Sequence, residues 1–415
     1  KTMKVLISAY SCEPGRGSER GVGWNVAREV AKHHEVWVLT RPDESKDAIE
    51  AELAANPIPN LHFVYFTLPF WQDSMSLGQS GAMQIHYYLW QIQAYFVARR
   101  LHQEIGFDLA HHVTFVKYSA PSLLAFLPIP FVWGPVGGGE SAPPKFWKDF
   151  SLRARLYEYA RDFVRNVGQR DPLVGLTIRN SAVVRATTDD TAKRLYRMGA
   201  TDVQIVPEVG LLDEEIQVLN QSPLPASQPV RFISMGRLLH WKGFHLGIRA
   251  FAEAKLPDAE FWLVGDGPEL DNLKRLAADC GVADKVKFWG RLSREDTLER
   301  LGESHVLVHP SLHDSGGWVC IEAMASGRPV ICLDLGGPAI QVTPQTGFKV
   351  AAQDPDQSVG DMAAVMQKLA ADPELRVQMG QAGRQLVDDN FSWTAVGKQL
   401  NSVYASTSTA VPVTA

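Results

Sequence analysis

Short apolar runs, each ending in small or turn-forming residues, recur along this chain. Between them lie longer stretches whose apolar positions fall three and four apart. The first run, KVLISA, reads as a buried strand. CEPGRGSERGVG follows as a glycine-rich loop, then WNVAREVAKH reads as a helix, with Val22 just ahead of it, Val26 and Val30 four apart on one face. HEVWVLT is the next strand. A strand–loop–helix–strand unit of this kind opens a doubly wound parallel sheet. LHFVYF, DLAHHV, PFVW, SAVVRAT and VQIVP extend it, with helical patterns between them. In AMQIHYYLWQIQAYFVARRL, Ile85, Leu89, Ile92 and Phe96 line one face, and Tyr87, Trp90 and Tyr95 lie on others. Those aromatics suit core packing and also the wall of an acceptor site.

The texture changes over 211–229. LLDEEIQVLNQSPLPASQP carries three prolines and little periodicity, and reads as a linker. The alternation then restarts with VRFISMG, EFWLVG, KVKFWG, HVLVHP and PVICLD as strands. Helices are expected from near Gly243, Pro268, Arg294 and Gly317. The pattern predicts an α/β protein of two Rossmann-like, doubly wound domains facing a central cleft. The first is residues 1–210, the linker is 211–229, and the second domain is 230–390. A helix over 391–405 is expected to pack back on the first domain, and ASTSTAVPVTA has frayed-tail composition.

Length and composition narrow the class. A chain of 415 residues suits two or three domains, and 45% apolar with 21% charged residues is ordinary for a soluble protein. A formal net charge of −5 gives no general attraction to nucleic acid. Cys12, Cys280, Cys320 and Cys332 form no CxxC pair and no metal-ligand spacing, so no metal is expected. So few thiols suit a reducing cytoplasm. KTMKVLISAY is too short an apolar run for a signal peptide, and no run of about 20 apolar residues predicts a membrane span. Residues 145–170, KFWKDFSLRARLYEYARDFVRNVGQR, combine aromatics with seven basic and three acidic side chains. That suits peripheral contact with an anionic membrane and equally a solvated helix.

Ligands of open parallel sheets sit where strands end and helices begin. In SMGRLLHWKG, Gly236 permits a close turn, and Arg237 and Lys242 could clamp a diphosphate or be ordinary surface cations. LVGDGPE makes a tight turn at Gly265, with Asp266 serving the turn itself. In FWGRLS, main-chain groups of Arg291 and Leu292 would lie near a base. HDSGGWVCIE holds two acids eight positions apart. Ser315 suits an N-cap there, and the Gly316–Gly317 pair would leave bare N–H groups for an anion at the helix start, beside Trp318 and Val319. Glu322 lies one turn in, and its side chain leans back toward that end. Asp314 has an inexpensive alternative role, since an acid before a helix stabilises it by ~0.3–1 kcal/mol. Glu322 has none, among Val319, Cys320, Ile321 and Met324.

In the first domain, Gly15, Gly17 and Gly21 are spaced GxGxxxG, one residue too long for a dinucleotide fingerprint, and no acid closes HEVWVLT. DLAHHV ends in His111 and His112, which point to opposite sides of a strand. His112, nearer the strand end, is the candidate for the cleft, with a structural histidine as the alternative. Gly137, Gly138 and Gly139 of WGPVGGGE could admit a sugar or acceptor, or form a flexible corner.

As an ordered set, GRLLHWKG, LVGDGPE, VKFWG and PSLHDSGGWVCIEAMASGRPVI resemble family 4 of the retaining glycosyltransferases, which have the GT-B fold. The resemblance implies that Arg237 and Lys242 bind the donor diphosphate. It places the family's E-x7-E motif on Asp314 and Glu322, the first contacting the donor sugar and the second the ribose. This chain departs from the motif with Asp at the first acid and SGG before the helix. GRGSERGVGW is similar to the family's loop near the phosphates and acceptor, and His112 to a histidine near the donor sugar. The implied catalytic set is therefore Arg237, Lys242, Asp314 and His112. The implied reaction moves a hexose from a nucleotide-diphosphate sugar, UDP before GDP, to a hydroxyl acceptor on a glycan, a lipid-linked acceptor or a small molecule. It needs no metal or other cofactor and implies a cytoplasmic enzyme of polysaccharide biosynthesis, either free or at the inner membrane surface. A GT-B-type epimerase or phosphorylase, and a non-catalytic sugar-nucleotide binding module, are the rival readings.

Overall fold

The computed structural model describes residues 1–72 and 81–408. Residues 409–415 of the expected tail lie outside that range. The chain divides into two compact units. One comprises Lys1–Gly139, Arg161–Glu208 and the chain from Trp393; the other comprises Glu140–Ala160 and Val209–Ser392.

In the first unit the described strands are β1 (Lys4–Ser8), β2 (Glu35–Thr40), β3 (Leu61–Tyr65), β4 (Leu109–His112), β5 (Phe131–Val136), β6 (Val183–Ala186) and β7 (Val203–Ile205). They pair in parallel, in the order β3-β2-β1-β4-β5-β6-β7. Val5, Leu6 and Ile7 are fully buried, as a strand covered on both faces requires. Val22, Val26 and Val30 are buried on the helix Ser18–Ala31, as their spacing predicts.

The helix Gly81–Ile105 turns a different face inward. His86, Tyr87, Trp90, Ala94 and Val97 are buried, whereas Ile85 and Phe96 are exposed. Aromatic contact decides the rotation: Trp90 stacks on Phe66 at 4.4 Å and meets the edge of Tyr10 at 5.3 Å. The final helix, Trp393–Ser408, groups with this unit. Its Tyr404 hydroxyl lies 2.6 Å from His111 Nδ1, and Asn401 Oδ1 lies 2.6 Å from His34 Nε2. It runs three residues past the expected end at 405, because Thr407 is buried and donates to Val403 O.

In the second unit the described strands are β8 (Val230–Met235), β9 (Ala259–Val264), β10 (Val286–Gly290), β11 (Val306–His309), β12 (Val330–Leu333) and β13 (Gly347–Val350). They form a parallel sheet in the order β10-β9-β8-β11-β12-β13. The strand order reverses between β8 and β11, the kind of position where open sheets take ligands.

Two boundaries differ from the sequence reading. The stretch 211–229 is not all linker, because Asp213–Asn220 is a helix. Ile216 and Leu219 bury one face of it against Leu301, Ile321 and Met324. Asp213, Glu214 and Glu215 sit at its positive end, and Glu215 Oε2 accepts from Leu212 N at 3.1 Å. The prolines at 223, 225 and 229 confine the irregular chain to its second half. Residues 140–160 group with the second unit rather than the first. Phe146, Phe150 and Ala154 share a core there with Phe232, Phe244 and Leu246.

The helix Leu152–Gln169 is inverted in polarity. Glu158 and Arg165 are buried, while Leu152, Leu156, Tyr159, Phe163, Val164 and Val167 are exposed. Among the described residues, no helix is long and apolar enough to cross a membrane.

Candidate functional site

The second sheet ends in glycine turns that bring main chain close to main chain. Gly236 has φ +149° and Gly265 φ +144°. A Cβ on Gly265 would lie 1.8 Å from Gly236 O, so the chain tolerates only glycine there. Beside this turn is a cavity of about 720 Å³. It brings together Gly236, Arg237, Gly265, Arg291, Leu292, Val319 and Glu322, all expected at a nucleotide site. Arg294, Thr297 and Leu298 also line it, and sequence reasoning missed them. Arg294 opens a helix just past the glycine turn, and that position after a strand end was the available signal. Asp266 borders the cavity too, but its Oδ1 accepts from Gly267 N at 2.8 Å, the turn role its spacing suggested.

A second cluster sits at the strand-order reversal. Lys242 closes a short 3-10 turn over His240–Lys242, and Gly243 follows at φ +68°. A Cβ on Gly243 would lie 2.0 Å from Pro310 O, so this loop presses on the end of β11. Lys242 Nζ donates to Asp314 Oδ2 at 3.1 Å, and His309 Nε2 lies 3.1 Å from the same oxygen. Burial pushes the Asp314 carboxyl up, but the Lys242 ammonium and the His309 hydrogen bond outweigh it and hold it well below 3.8. His309 was not among the expected residues.

The helix after this loop is Trp318–Ala325, and its N-cap is Gly317 at φ +85°, not Ser315. Asp314 explains the difference: its Oδ1 accepts from Gly316 N at 3.3 Å, and its main-chain O accepts from Gly337 N at 2.7 Å, which fixes the loop ahead of the cap. Among the described residues no side chain caps the helix; Cys320 N donates to Gly317 O at 3.0 Å, and the N–H groups ahead of it in the helix have no intrahelical acceptor. The Trp318 indole donates to Gly210 O at 3.0 Å, which directs it away from a ligand role.

Glu322 is buried on this helix, with its side chain 7% exposed, and forms an ion pair with Arg294 Nη1 at 3.1 Å. Arg294 Nη2 is 3.7 Å from Glu215 Oε1. Burial pushes the Glu322 carboxyl up to about 7, against the opposing pull of the Arg294 guanidinium.

Behind the Lys242 and Asp314 loops stands Glu158. Its Oε1 accepts from His240 Nε2 at 2.8 Å and from His313 Nε2 at 3.0 Å. Trp241 stacks between Tyr157 and His313, at 5.3 and 5.1 Å. These partners are 82 and 155 positions from Glu158, so no local pattern marks them.

The first-unit candidates are held differently. His111 bonds through both ring nitrogens, to Tyr404 Oη and Gly134 O, and is structural. His112 has no exposed surface; its Nε2 lies 3.0 Å from Thr114 O and 3.1 Å from Tyr87 Oη. Burial pushes its imidazole down to about 4. Gly17 is the N-cap of the helix Ser18–Ala31, and Gly15 and Gly17 have open space where a Cβ would be. Gly137 to Gly139 form a braced corner. Arg165 donates to Gly138 O, Arg194 donates to Gly139 O, and Thr191 Oγ1 accepts from Gly139 N.

Residues 216–386 match the family model described as glycosyl transferases group 1. The chain carries a glycosyl transferases group 1 domain. It is 36% identical over 173 residues to the lipopolysaccharide core biosynthesis glycosyltransferase LpsE of Rhizobium meliloti, which covers 41% of this chain and 48% of that protein. It is 35% identical over 179 residues to a GDP-mannose-dependent monoacylated alpha-(1-6)-phosphatidylinositol monomannoside mannosyltransferase of Corynebacterium glutamicum, covering 41% and 45%. The chain thus spans about half the length of these curated relatives. The crystal structure of Anabaena HepE in complex with UDP superposes with a TM-score of 0.61 at 18% identity, over 97% of this chain and 100% of that one. That likeness shows the fold: the two parallel-sheet units are of the GT-B kind.

The group 1 domain contains Arg237, Lys242, Asp314 and Glu322, and none of the first-unit candidates. Its two acids lie in opposite electrostatic settings, which gives a stability test. A glutamate raised from 4.5 to about 7 keeps its proton in the folded protein where the unfolded chain has lost it. Stability through this group therefore falls as pH rises from 4.5 to 7, by on the order of 3 kcal/mol. Glu322→Gln is expected to remove that slope and to be more stable than wild type at pH 8, measured by urea denaturation. Parallel pH profiles for the two proteins would contradict the assignment.

Proposed function

We propose that this chain is a retaining glycosyltransferase of family 4 that moves a hexose from a nucleoside diphosphate sugar to a hydroxyl acceptor. The observation that carries this reading is the pocket at the ends of β8, β9 and β10. One lining sets a buried carboxylate, Glu322, together with an exposed guanidinium, Arg237. Glu322 would accept two hydrogen bonds from the ribose diol. Main chain at Arg291 and Leu292 would meet the base, and Gly236 and Gly265 would let backbone approach the donor. The resemblance to LpsE supports an acceptor on a glycan or a lipid-linked saccharide. The UDP held by HepE favours UDP as carrier, and the GDP-mannose dependence of the Corynebacterium relative places GDP second.

In the transfer, the acceptor oxygen bonds to the anomeric carbon while the bond from that carbon to the diphosphate oxygen breaks. The departing phosphate takes the acceptor proton. Arg237, Lys242 and the uncapped start of the helix Trp318–Ala325 would stabilise the charge that develops there, so no metal or further cofactor is assigned. Asp314 would hold Lys242 in place and meet the donor sugar, with Ser315, Gly316 and Gly317 framing it. Gly15, Gly17 and Gly137 to Gly139 stand on the acceptor side of the proposal, and His112 would need to be uncovered to reach a sugar. A panel of UDP- and GDP-hexoses, assayed for acceptor-dependent nucleotide release, tests the reading. Arg237→Ala and Lys242→Ala are each expected to lower kcat/KM about 10²–10³-fold with an unchanged circular dichroism spectrum. Wild-type turnover by either variant, or nucleotide release indifferent to acceptor, would sink it.

The proposed location is the cytoplasm, with the helix Leu152–Gln169 resting on the inner membrane surface. Its exposed Leu152, Leu156, Tyr159, Phe163 and Val167 recur at helical spacing, with Arg153 and Arg155 beside them. Wild type is expected to pellet with vesicles containing anionic phospholipid and to stay in solution with zwitterionic ones. The double variant Leu156→Glu, Phe163→Glu should stay in solution with both, and equal pelleting of variant and wild type would count against the contact.

A further inference from the structure

Arg294 and Glu215 belong to no motif in the sequence, yet they form a chain of charge that ends at Glu322. Arg294 is the first residue of the helix Arg294–Gly302, and Ser293 caps that helix by accepting from Asp296 N at 3.0 Å. This cap fixes where the Arg294 side chain leaves the backbone. Its guanidinium reaches Glu322 Oε2 at 3.1 Å with one nitrogen and Glu215 Oε1 at 3.7 Å with the other. Glu215 is itself anchored, since its other oxygen accepts from Leu212 N at 3.1 Å. The chain therefore joins three elements: the Asp213–Asn220 helix, the Arg294–Gly302 helix and the Trp318–Ala325 helix.

The other charged groups near Glu322 are placed elsewhere. Arg237, Arg291 and Asp266 line the same pocket, but none makes an ion pair with Glu322 among the described residues. Asp314, ahead of the helix, is engaged by Lys242 and His309. Arg384, packed against the far end of the helix, donates to Ser326 O and Ser222 O. The neighbouring Cys320 thiol is buried and pushed up, so it stays neutral. Among the described residues Arg294 is thus the cation paired with Glu322, and at 56% exposure it lines the same pocket.

We propose that Arg294 is a positioning residue for donor binding, holding the Glu322 carboxylate charged and aimed into the pocket while Glu215 steadies the guanidinium from outside. The proposal rests on the reading of Glu322 as the ribose acceptor. A carboxylate offers acceptors to both hydroxyls of a ribose diol, whereas a protonated acid turns one of those positions into a donor. Without Arg294, burial acts on Glu322 unopposed and the acid stays protonated to higher pH.

The test is UDP and GDP binding by calorimetry between pH 6 and 9, using the intact chain. Wild-type affinity for the preferred nucleotide should weaken as pH falls through about 7, the value for Glu322. Arg294→Gln should bind at least tenfold more weakly at pH 7 and recover as pH rises, with its midpoint displaced upward by a unit or more. Arg294→Lys should lie between the two, and Glu322→Gln should bind weakly without pH dependence. An Arg294→Gln profile with the wild-type midpoint, at any affinity, would overturn the proposal. Denaturation of the nucleotide-free proteins against pH reads the same coupling without a donor, and there the Arg294→Gln profile should shift upward as well. An unshifted profile overturns the Arg294 assignment, whereas a shifted profile with no nucleotide binding overturns the ribose reading of Glu322.

Discussion

Removing a carboxylate from water costs several kcal/mol unless protein groups replace what the water supplied. Glu322 is in that position, on a helix packed between sheet and neighbouring helices, with the half-exposed Arg294 as its ion-pair partner among the described residues. A fold has no packing reason to keep such a group, since an apolar side chain of similar size would suit the surroundings better. The proposed ribose contact in the adjoining cavity supplies the reason that packing does not. The same helix supplies the cavity with Val319 and presents its uncapped start to the loop of Asp314. One eight-residue segment thus carries both the buried acid and the bare N–H groups.

Asp314 shows the opposite balance eight residues earlier. It too is mostly buried, but Lys242 and His309 bring charge and a hydrogen bond to one oxygen, and the acid is held ionised. Two carboxylates in one loop–helix corner are thereby driven apart in proton affinity: burial prevails at Glu322, and the partners prevail at Asp314. Behind them, Glu158 ties His240 to His313, and so ties the loop of Lys242 to the loop of Asp314. The shorter side chain of Asp314, compared with the glutamate of the motif it resembles, fits this tight pairing with Lys242. Close backbone contact at Gly265 and Gly243 gives these loops little room to adjust.

Much of this was legible in the sequence because it is local. Apolar runs capped by glycine turns are the signature of parallel strands, and the strands named from them are found. Gly236, Arg237, Gly265, Arg291, Leu292, Val319 and Glu322 converge on one cavity because each lies at a strand end or within about a turn of a helix start. The failures are non-local. The helix Asp213–Asn220 is held by Ile216 and Leu219 against distant partners, and its polar sequence hid it. The inward face of Gly81–Ile105 was set by stacking on Phe66, not by the spacing of its aliphatic residues. Glu158 and Arg294 acquire their roles only through partners that the fold brings to them. Ser315 lost the N-cap position because Asp314 had already fixed the loop ahead of it.

The proposed transfer requires the pocket at the ends of β8, β9 and β10 to seat a nucleoside diphosphate. A crystal structure of the protein with UDP or GDP tests this most directly. The ribose diol is expected on Glu322, the base beside the main chain of Arg291 and Leu292, and the diphosphate toward Arg237 and the start of the helix Trp318–Ala325. A nucleotide bound elsewhere, with Glu322 still paired to Arg294 in an empty pocket, would contradict it.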